Sequence, residues 1–333
     1  MKAARGLLAA ATVMLLLAAC SVVSHAAYSY HPARPHPAAG QHQAPGHPEA
    51  TPAPARPGPL PVRPDSYWGI YEPGTPASYR PVQRFTGLIH GDAPRIVLYF
   101  STWGEPFQAS YARTAWAHHA VTLVQIQPGN LSLAAIAAGR FDGYLRSYAQ
   151  QVRAFGEPVI IGFAHEMNGY WYPWGFGHAS PRAWIAAWRH VVTLFRQQGA
   201  DNVTWLWTAN VMGPGIPSPR RWWPGAAYVT WVGIDGYYYV PGDTFAGVIA
   251  PTIARVRAFT GDPILLAETG IMVGAVPATM PDLIAGLRRS RLLGLVWFDA
   301  VVDHDWRLEG HPGAVAAFGR GVAGLRRAPS GGR

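Results

Sequence analysis

The chain has seven glutamates, and two of them stand where apolar runs end. Glu166 closes Val159-Ile160-Ile161-Gly162-Phe163-Ala164-His165, and Glu268 closes Leu265-Leu266-Ala267. A carboxylate at the mouth of a buried strand is costly to leave unpaired, because desolvation opposes its charge. Around Glu166 stand His165 and Asn168, followed by a loop that carries Trp171 and Trp174. Aromatic faces suit a sugar ring, whose axial C–H groups lie flat on them while its hydroxyls seek polar partners. Two carboxylates meeting over such aromatics would be the apparatus of glycoside hydrolysis. The plainer alternative is a core strand running into an ordinary loop, with Glu166 in a structural ion pair. The elements that carry the two glutamates decide between these.

Eight short apolar runs recur from Tyr67 onward: 67–71, 95–100, 121–126, 158–163, 203–208, 228–234, 263–267 and 292–298. Segments with helical spacing lie between them. One helix is expected after Ser132, with Ile136, Tyr144, Leu145, Tyr148, Val152 and Phe155 on one face. Another opens at Ser180-Pro181, a cap followed by proline at the first helical position, and carries Trp184, Ile185, Trp188 and Val192. Continuous apolar strands alternating with helices indicate a parallel sheet covered on both faces. Eight such units over about 260 residues match an α/β (β/α)8 TIM barrel. An open doubly wound sheet is the alternative, but no glycine-rich nucleotide turn follows the first strand. Chemistry in a barrel sits at the C-terminal strand ends. Those ends offer Trp103 after strand 2, Glu166 after strand 4, Asn210 after strand 5, Asp235 and Tyr237 after strand 6, Glu268 after strand 7, and Trp297 and Asp299 at strand 8. Strands 4 and 7 face each other across a small barrel, so both glutamates can point into one cleft.

His165-Glu166-Met167-Asn168-Gly169 with Trp171 and Trp174 resembles the acid/base signature of glycoside hydrolase family 26. The similarity continues through Trp207-Thr208-Ala209-Asn210, Val232-Gly233-Ile234-Asp235-Gly236-Tyr237 and Ala267-Glu268-Thr269-Gly270. The resemblance implies a retaining (β/α)8 enzyme acting within β-1,4-mannan, with mixed-linkage β-1,3-1,4-glucan or β-1,3-xylan as alternative substrates. It implies Glu166 as acid/base and Glu268 as nucleophile. It also implies His165, Trp171, Tyr237 and Trp297 as substrate-binding residues, with Tyr237 near the nucleophile and Trp297 as an aromatic floor, and the strand-end and loop residues Trp103, Asn168, Trp174 and Asn210 are expected to bind substrate with them. No cofactor or metal is implied. One departure stands out: many members carry arginine four residues before the acid/base, where this chain has Gly162. A polysaccharide-binding lipoprotein on a decayed barrel is the alternative from another class, and loss of either glutamate would have signalled it.

The formal charge of +9 is not that of a nucleic-acid binder. The excess lies at the two ends, whereas 65–319 holds eighteen arginines against seventeen acids and offers no basic stripe. Lys2 and Arg5 precede an apolar run typical of a signal peptide, which ends Leu17-Ala18-Ala19-Cys20. That tetrapeptide resembles the bacterial lipobox, so residues 1–20 are expected to be a lipoprotein signal and Cys20 a lipid anchor at the cell membrane. A secreted protein cut after Ser24-His25-Ala26 is the alternative. Cys20 is the sole cysteine, which excludes a disulfide within the chain. Eleven prolines between His31 and Pro64 mark 21–65 as an extended, disordered linker. The expected barrel spans 66–326, with a disordered tail at 327–333, and the protein is expected to be a monomer. The linker histidines His31, His36, His42 and His47 read as solvated residues, and Asp303-His304-Asp305 as loop surface or sugar-binding groups rather than a metal site.

Overall fold

The computed structural model describes residues 60–325, so Cys20, the signal segment, most of the proline-rich stretch and the tail from 326 lie outside the described residues. Eight parallel strands close into a barrel in sequential order, β1 (Tyr67–Tyr71), β2 (Ile96–Thr102), β3 (Val121–Gln127), β4 (Val159–Phe163), β5 (Val203–Asn210), β6 (Trp231–Tyr238), β7 (Ile264–Ile271) and β8 (Gly294–Phe298). The seam is made by β1 on β8, with Tyr67 opposite Gly294 and Tyr71 opposite Phe298. The α-helices are α1 (Arg80–Leu88), α2 (Ala109–Ala117), α3 (Leu133–Ala137), α4 (Asp142–Phe155), α5 (Pro181–Gln197), α6 (Phe245–Val248), α7 (Ala250–Arg257), α8 (Val276–Arg289) and α9 (Pro312–Ala323).

The two-residue period of the strands sorts their side chains. Ile96, Leu98, Leu123, Ile160, Leu206 and Leu265 fill the barrel, while Val97, Val124, Ile161, Trp205 and Ile264 meet the helices. The caps act as the sequence expects: Ser132 Oγ accepts from Ala135 N at 3.3 Å and Ser180 Oγ from Ala183 N at 3.2 Å. The helix α5 buries Trp184 against Trp188, stacked 5.3 Å apart.

Three expectations need correction. The helix after Ser132 is two helices, because the chain turns at Gly139 with φ +79°, a conformation that suits glycine. Strands β5, β6 and β7 outlast their apolar runs, so Asn210, Asp235, Tyr237 and Glu268 are strand residues rather than loop residues. The hydrogen-bond ladder continues where hydrophobicity stops. Residues 60–65, assigned to the linker by their prolines, belong to the folded unit. Leu60 packs under the barrel and its N–H reaches Thr204 Oγ1 at 2.9 Å, while the Tyr67 hydroxyl donates to the Pro61 carbonyl at 2.9 Å.

Candidate active site

Just past β4 the backbone turns sharply. Ala164 and Glu166 both lie in the left-handed region, at φ 48° and 52°, a costly conformation for residues with a Cβ. Tryptophans hold the turn from outside: Trp184 Nε1 donates to the Ala164 carbonyl at 3.1 Å and Trp174 Nε1 to the His165 carbonyl at 2.8 Å. The Glu166 N–H reaches across to the Thr208 carbonyl of β5 at 2.9 Å. The kink aims the Glu166 side chain into the cleft, where Trp171 Nε1 donates to Oε2 at 2.7 Å and Asn210 Nδ2 donates to Oε1. Trp171 can fold back this far only because residue 169 is glycine, since a Cβ there would lie 2.3 Å from the indole ring.

A bulge positions the second carboxylate. Along β7, strict alternation points Leu265 and Ala267 inward and would turn Glu268 toward the helices. The register between β6 and β7 slips after Ile234, so that Ile234 faces Leu266 while Asp235 faces Glu268. The extra residue turns Glu268 inward beside Ala267. Its Oε2 accepts from the Tyr237 hydroxyl at 2.8 Å, and its Oε1 is buried without a hydrogen-bond partner.

Glu166 and Glu268 are 7% and 6% exposed, so solvent does not screen them. Burial raises Glu166 to about 7, opposed by the Asn210 and Trp171 donors and assisted by the Asp303 charge. Burial and then the charge of Glu166 raise Glu268 to about 8. Beside them Asp235 is fully buried and, through burial and the fields of both glutamates, is held well above the usual range. Among the described residues, no arginine or lysine acts on any of the three. The carboxyls therefore share protons, and their ionisation belongs to the cluster. Burial pushes His165 down to about 3, so its imidazole is neutral, with Nε2 3.2 Å from the Tyr172 hydroxyl.

The sequence-derived residues divide. Glu166, Trp171, Asn210, Tyr237, Glu268 and His165 converge on the cleft. Trp297 does not: it is fully buried on the outer face of β8, 5.0 Å from Phe318 of α9, because the inward positions of that strand are Val296 and Phe298. Trp174 is buried at 4% exposure, stacked 4.3 Å from Tyr172, and supports the turn from behind. Asn168 is fully buried and clamps the main chain of Asn210, donating to its carbonyl and accepting from its N–H, both at 2.9 Å. Fully buried, it presents no surface to substrate. Trp103 follows the inward Thr102 and so turns outward, 4.7 Å from Tyr144 and 5.7 Å from Phe141, away from the carboxyls.

Other residues fill the vacated roles. Tyr71 stacks on Phe298 at 4.7 Å and meets Phe100 at 5.2 Å. Phe100 lies 5.5 Å from His165, and Tyr237 lies 6.0 Å from Phe298 and 4.9 Å from Trp306. This aromatic belt runs from beside one glutamate to beside the other. Counting by twos along β1, β2 and β8 from Gly69, Leu98 and Val296 would have found Tyr71, Phe100 and Phe298. Gly162 faces Gln125 of β3, whose Oε1 would lie 1.9 Å from a Cβ at 162 and whose Nε2 reaches Thr208 Oγ1 at 3.2 Å. The room for a side chain at 162 is thus occupied by an amide from the next strand.

A second carboxyl pair, Glu72 and Asp299, lies on the outer side of the β1/β8 seam. It lines a cavity of about 210 Å³ with Arg84, Phe85, Arg307 and Glu309. Burial and then Asp299 push Glu72 up to about 8, and burial raises Asp299 to about 6.

With this geometry in hand, comparison with known proteins is decisive. The pattern of Glycosyl hydrolase family 26 matches residues 107–313. The chain belongs to that family. It is 29% identical over 263 residues to Endoglucanase H of Acetivibrio thermocellus, covering 74% of this chain and 29% of that protein. It is 32% identical over 93 residues to mannan endo-1,4-beta-mannosidase A and B of Caldalkalibacillus mannanilyticus, covering 26% of this chain and 18% of that protein. The chain spans less than a third of the length of the curated relatives it matches. Its fold is that of the catalytic domain of the Bacillus sp. JAMB-750 family 26 endo-beta-1,4-mannanase, at a TM-score of 0.64 and 18% identity over 79% of this chain and 87% of that one.

Proposed function

We propose that this family 26 protein is a retaining, endo-acting glycoside hydrolase that cleaves β-1,4-mannan. The observation that carries the reading is the pair of buried glutamates, one aimed by the left-handed turn after β4 and the other by the bulge in β7, the charge of Glu166 making Glu268 a weaker acid, over an aromatic floor. Mannan is favoured by the mannan endo-1,4-beta-mannosidase relative and the endo-beta-1,4-mannanase fold match; Endoglucanase H makes mixed-linkage β-glucan the second reading.

Glu268 attacks the anomeric carbon with its free Oε1, forming a carbon–oxygen bond as the glycosidic bond breaks. Glu166 gives its proton to the departing oxygen, then takes one from the water that hydrolyses the glycosyl-enzyme. Donor count in the unbound protein points the other way, since Glu166 accepts two N–H groups and Glu268 one hydroxyl, which favours the charge on Glu166. A bound sugar reverses this balance. Its 2-hydroxyl can donate to Glu268, supplying the missing partner, while the glycosidic oxygen takes the Glu166 proton. Tyr237 steadies the nucleophile and neutral His165 orients a hydroxyl.

The test is a pair of variants. Glu268→Ala should abolish turnover, and azide should restore cleavage of an activated aryl glycoside with inversion. Glu166→Ala should spare substrates with good leaving groups, which need little proton donation. The carboxyl groups should lie ~5–5.5 Å apart, not the ~6.5–9.5 Å of an inverting pair. Undiminished hydrolysis of unactivated polysaccharide in either variant overturns the assignment. Release of reducing sugar from mannan, glucomannan, lichenan and β-1,3-xylan ranks the substrates. The single cysteine in its lipobox-like setting supports membrane anchoring outside the cytoplasm through lipid on Cys20. Equal partitioning of wild type and Cys20→Ser into the aqueous phase would refute that part.

A further inference from the structure

We propose that the solvent face of α5, with the turn beside it, is a docking strip for a polysaccharide that bears carboxylate groups. The strip lies on the outer wall of the barrel, apart from the catalytic cleft. The choice of a polysaccharide as partner rests on the glycosidase reading of that cleft.

The linear charge balance predicts no basic stripe, but folding makes one. Between Glu166 and Asp235 the chain holds five arginines against one acid, Asp201. Three of them, Arg182, Arg189 and Arg196, recur at every seventh residue of α5, so they share one face at intervals of two turns. The opposite side of the helix buries Trp184, Trp188, Val191, Val192, Leu194 and Phe195. Between the arginines the exposed face carries Ala186 and Thr193, which are uncharged and too short to cover a guanidinium. The row is about 21 Å long.

Neighbouring groups hold the row in place. Arg189 Nε donates to the Pro224 carbonyl at 2.8 Å, and its guanidinium lies 5.2 Å from the Tyr228 ring. The Arg196 guanidinium lies 6.0 Å from the same ring. One half-buried tyrosine thus sets two cations side by side. Arg220 and Arg221 are exposed on the turn Pro219–Trp222, which packs against α5. Arg221 lies 5.6 Å from Phe176 and 5.2 Å from Trp222.

Among the described residues, none of the five arginines has a carboxylate within ion-pairing distance. Asp142, an acid that does meet α5, is taken up by Arg146 at 2.9 Å and His190 at 2.6 Å. Asp201 lies beyond the end of the helix. A guanidinium fork matches a carboxylate in two parallel hydrogen bonds, and several forks along one line suit a linear polyanion. A bilayer surface would call for large apolar side chains beside the bases. Among the described residues the exposed large hydrophobics, Val62, Trp116, Val240, Val301 and Val302, all lie on other segments.

The test measures binding of the full chain to polygalacturonate at low ionic strength, beside the fully methyl-esterified, neutral form of that polymer. Wild type should bind the acid polymer alone. Arg182→Gln/Arg189→Gln/Arg196→Gln should weaken that binding about tenfold, the size of several exposed ion pairs, with kcat/KM on neutral oligosaccharides unchanged. Equal binding of the neutral polymer, an unweakened variant, or binding to anionic lipid vesicles in place of polygalacturonate overturns the proposal. If the triple variant does not fold, Arg182→Glu/Arg220→Glu replaces two side chains that make no hydrogen bond, ion pair or ring contact among the described residues. Undiminished binding there overturns the proposal equally. Roughly 0.5 M salt should release the polymer from wild type, and salt-resistant binding refutes the electrostatic account. Arginine-dependent binding by a protein inert on every neutral polymer of the panel would uphold the strip and overturn the glycosidase reading, whereas hydrolysis without binding would do the reverse.

Discussion

Trp171→Phe keeps an aromatic ring beside Glu166 and removes one atom group, the indole N–H that donates to Oε2 at 2.7 Å. Hydrogen bonds to charged groups contribute roughly 1.5–3 kcal/mol. At about 1.36 kcal/mol per pKa unit, losing one donor from the ionised form should raise Glu166 by one to two units. The other influences on this carboxyl stay in place: burial and Asp303 raise it, and Asn210 lowers it. A proton held more tightly is lost at higher pH, so the basic limb of kcat/KM should move to more alkaline pH, from its wild-type position near the Glu166 value of about 7. The assay is the pH profile of kcat/KM on an unactivated oligosaccharide, whose leaving group needs that proton. A basic limb that stays in place, or moves toward acid, in a variant with wild-type melting temperature refutes the role given to Glu166.

Asn168→Ala removes both bonds that fix the Asn210 main chain, at about 1 kcal/mol each, and should cost about 2 kcal/mol in denaturant unfolding together with a drop in kcat as Asn210 leaves Glu166. Trp297→Ala should destabilise by about 3–5 kcal/mol on chemical denaturation with KM unchanged, whereas Phe298→Ala should raise KM, because only the second ring faces the cleft. Glu72 is raised to about 8 in the fold, so the folded state holds its proton more tightly than the unfolded chain; stability should be fullest below about pH 4.5 and fall as pH rises toward 8. Glu72→Gln should reduce that slope in melting temperature measured across the window, leaving the part due to Glu166 and Glu268, and an undiminished slope in the variant contradicts the raised value given to Glu72.

How much of this was legible in the sequence depends on the kind of signal. The starts of all eight strands follow the apolar runs to within three residues, because burial on both faces leaves an unbroken hydrophobic signature. The ends of β5, β6 and β7 do not, since polar residues there still pair through their backbones. Glu166 and Glu268 could be singled out as carboxyls at strand mouths, but nothing local marks the slip between Ile234 and Asp235 that turns Glu268 inward. That is a property of two strands in register. Trp297 and Trp174 misled because tryptophan is equally at home in a core and on a sugar-binding wall. Parity along β8 was the available discriminator, and it favours Phe298. Residues 60–65 were hidden by their prolines, which say nothing of the single leucine that packs beneath the barrel.

The Gln125–Gly162 pairing also constrains how this barrel can change. An arginine can enter at 162 only if the Gln125 amide leaves its place and gives up Thr208, because even the first carbon of its side chain would overlap that amide. Loss of Gln125 alone would leave an unfilled space in the barrel and a Thr208 hydroxyl without its donor. Each single step is unfavourable, so the two positions must exchange together or through an intermediate with a small residue at 125. A mutational library that varies 162 alone would therefore return glycine, whatever arginine might do for the chemistry, and only a paired library at 125 and 162 explores the other solution.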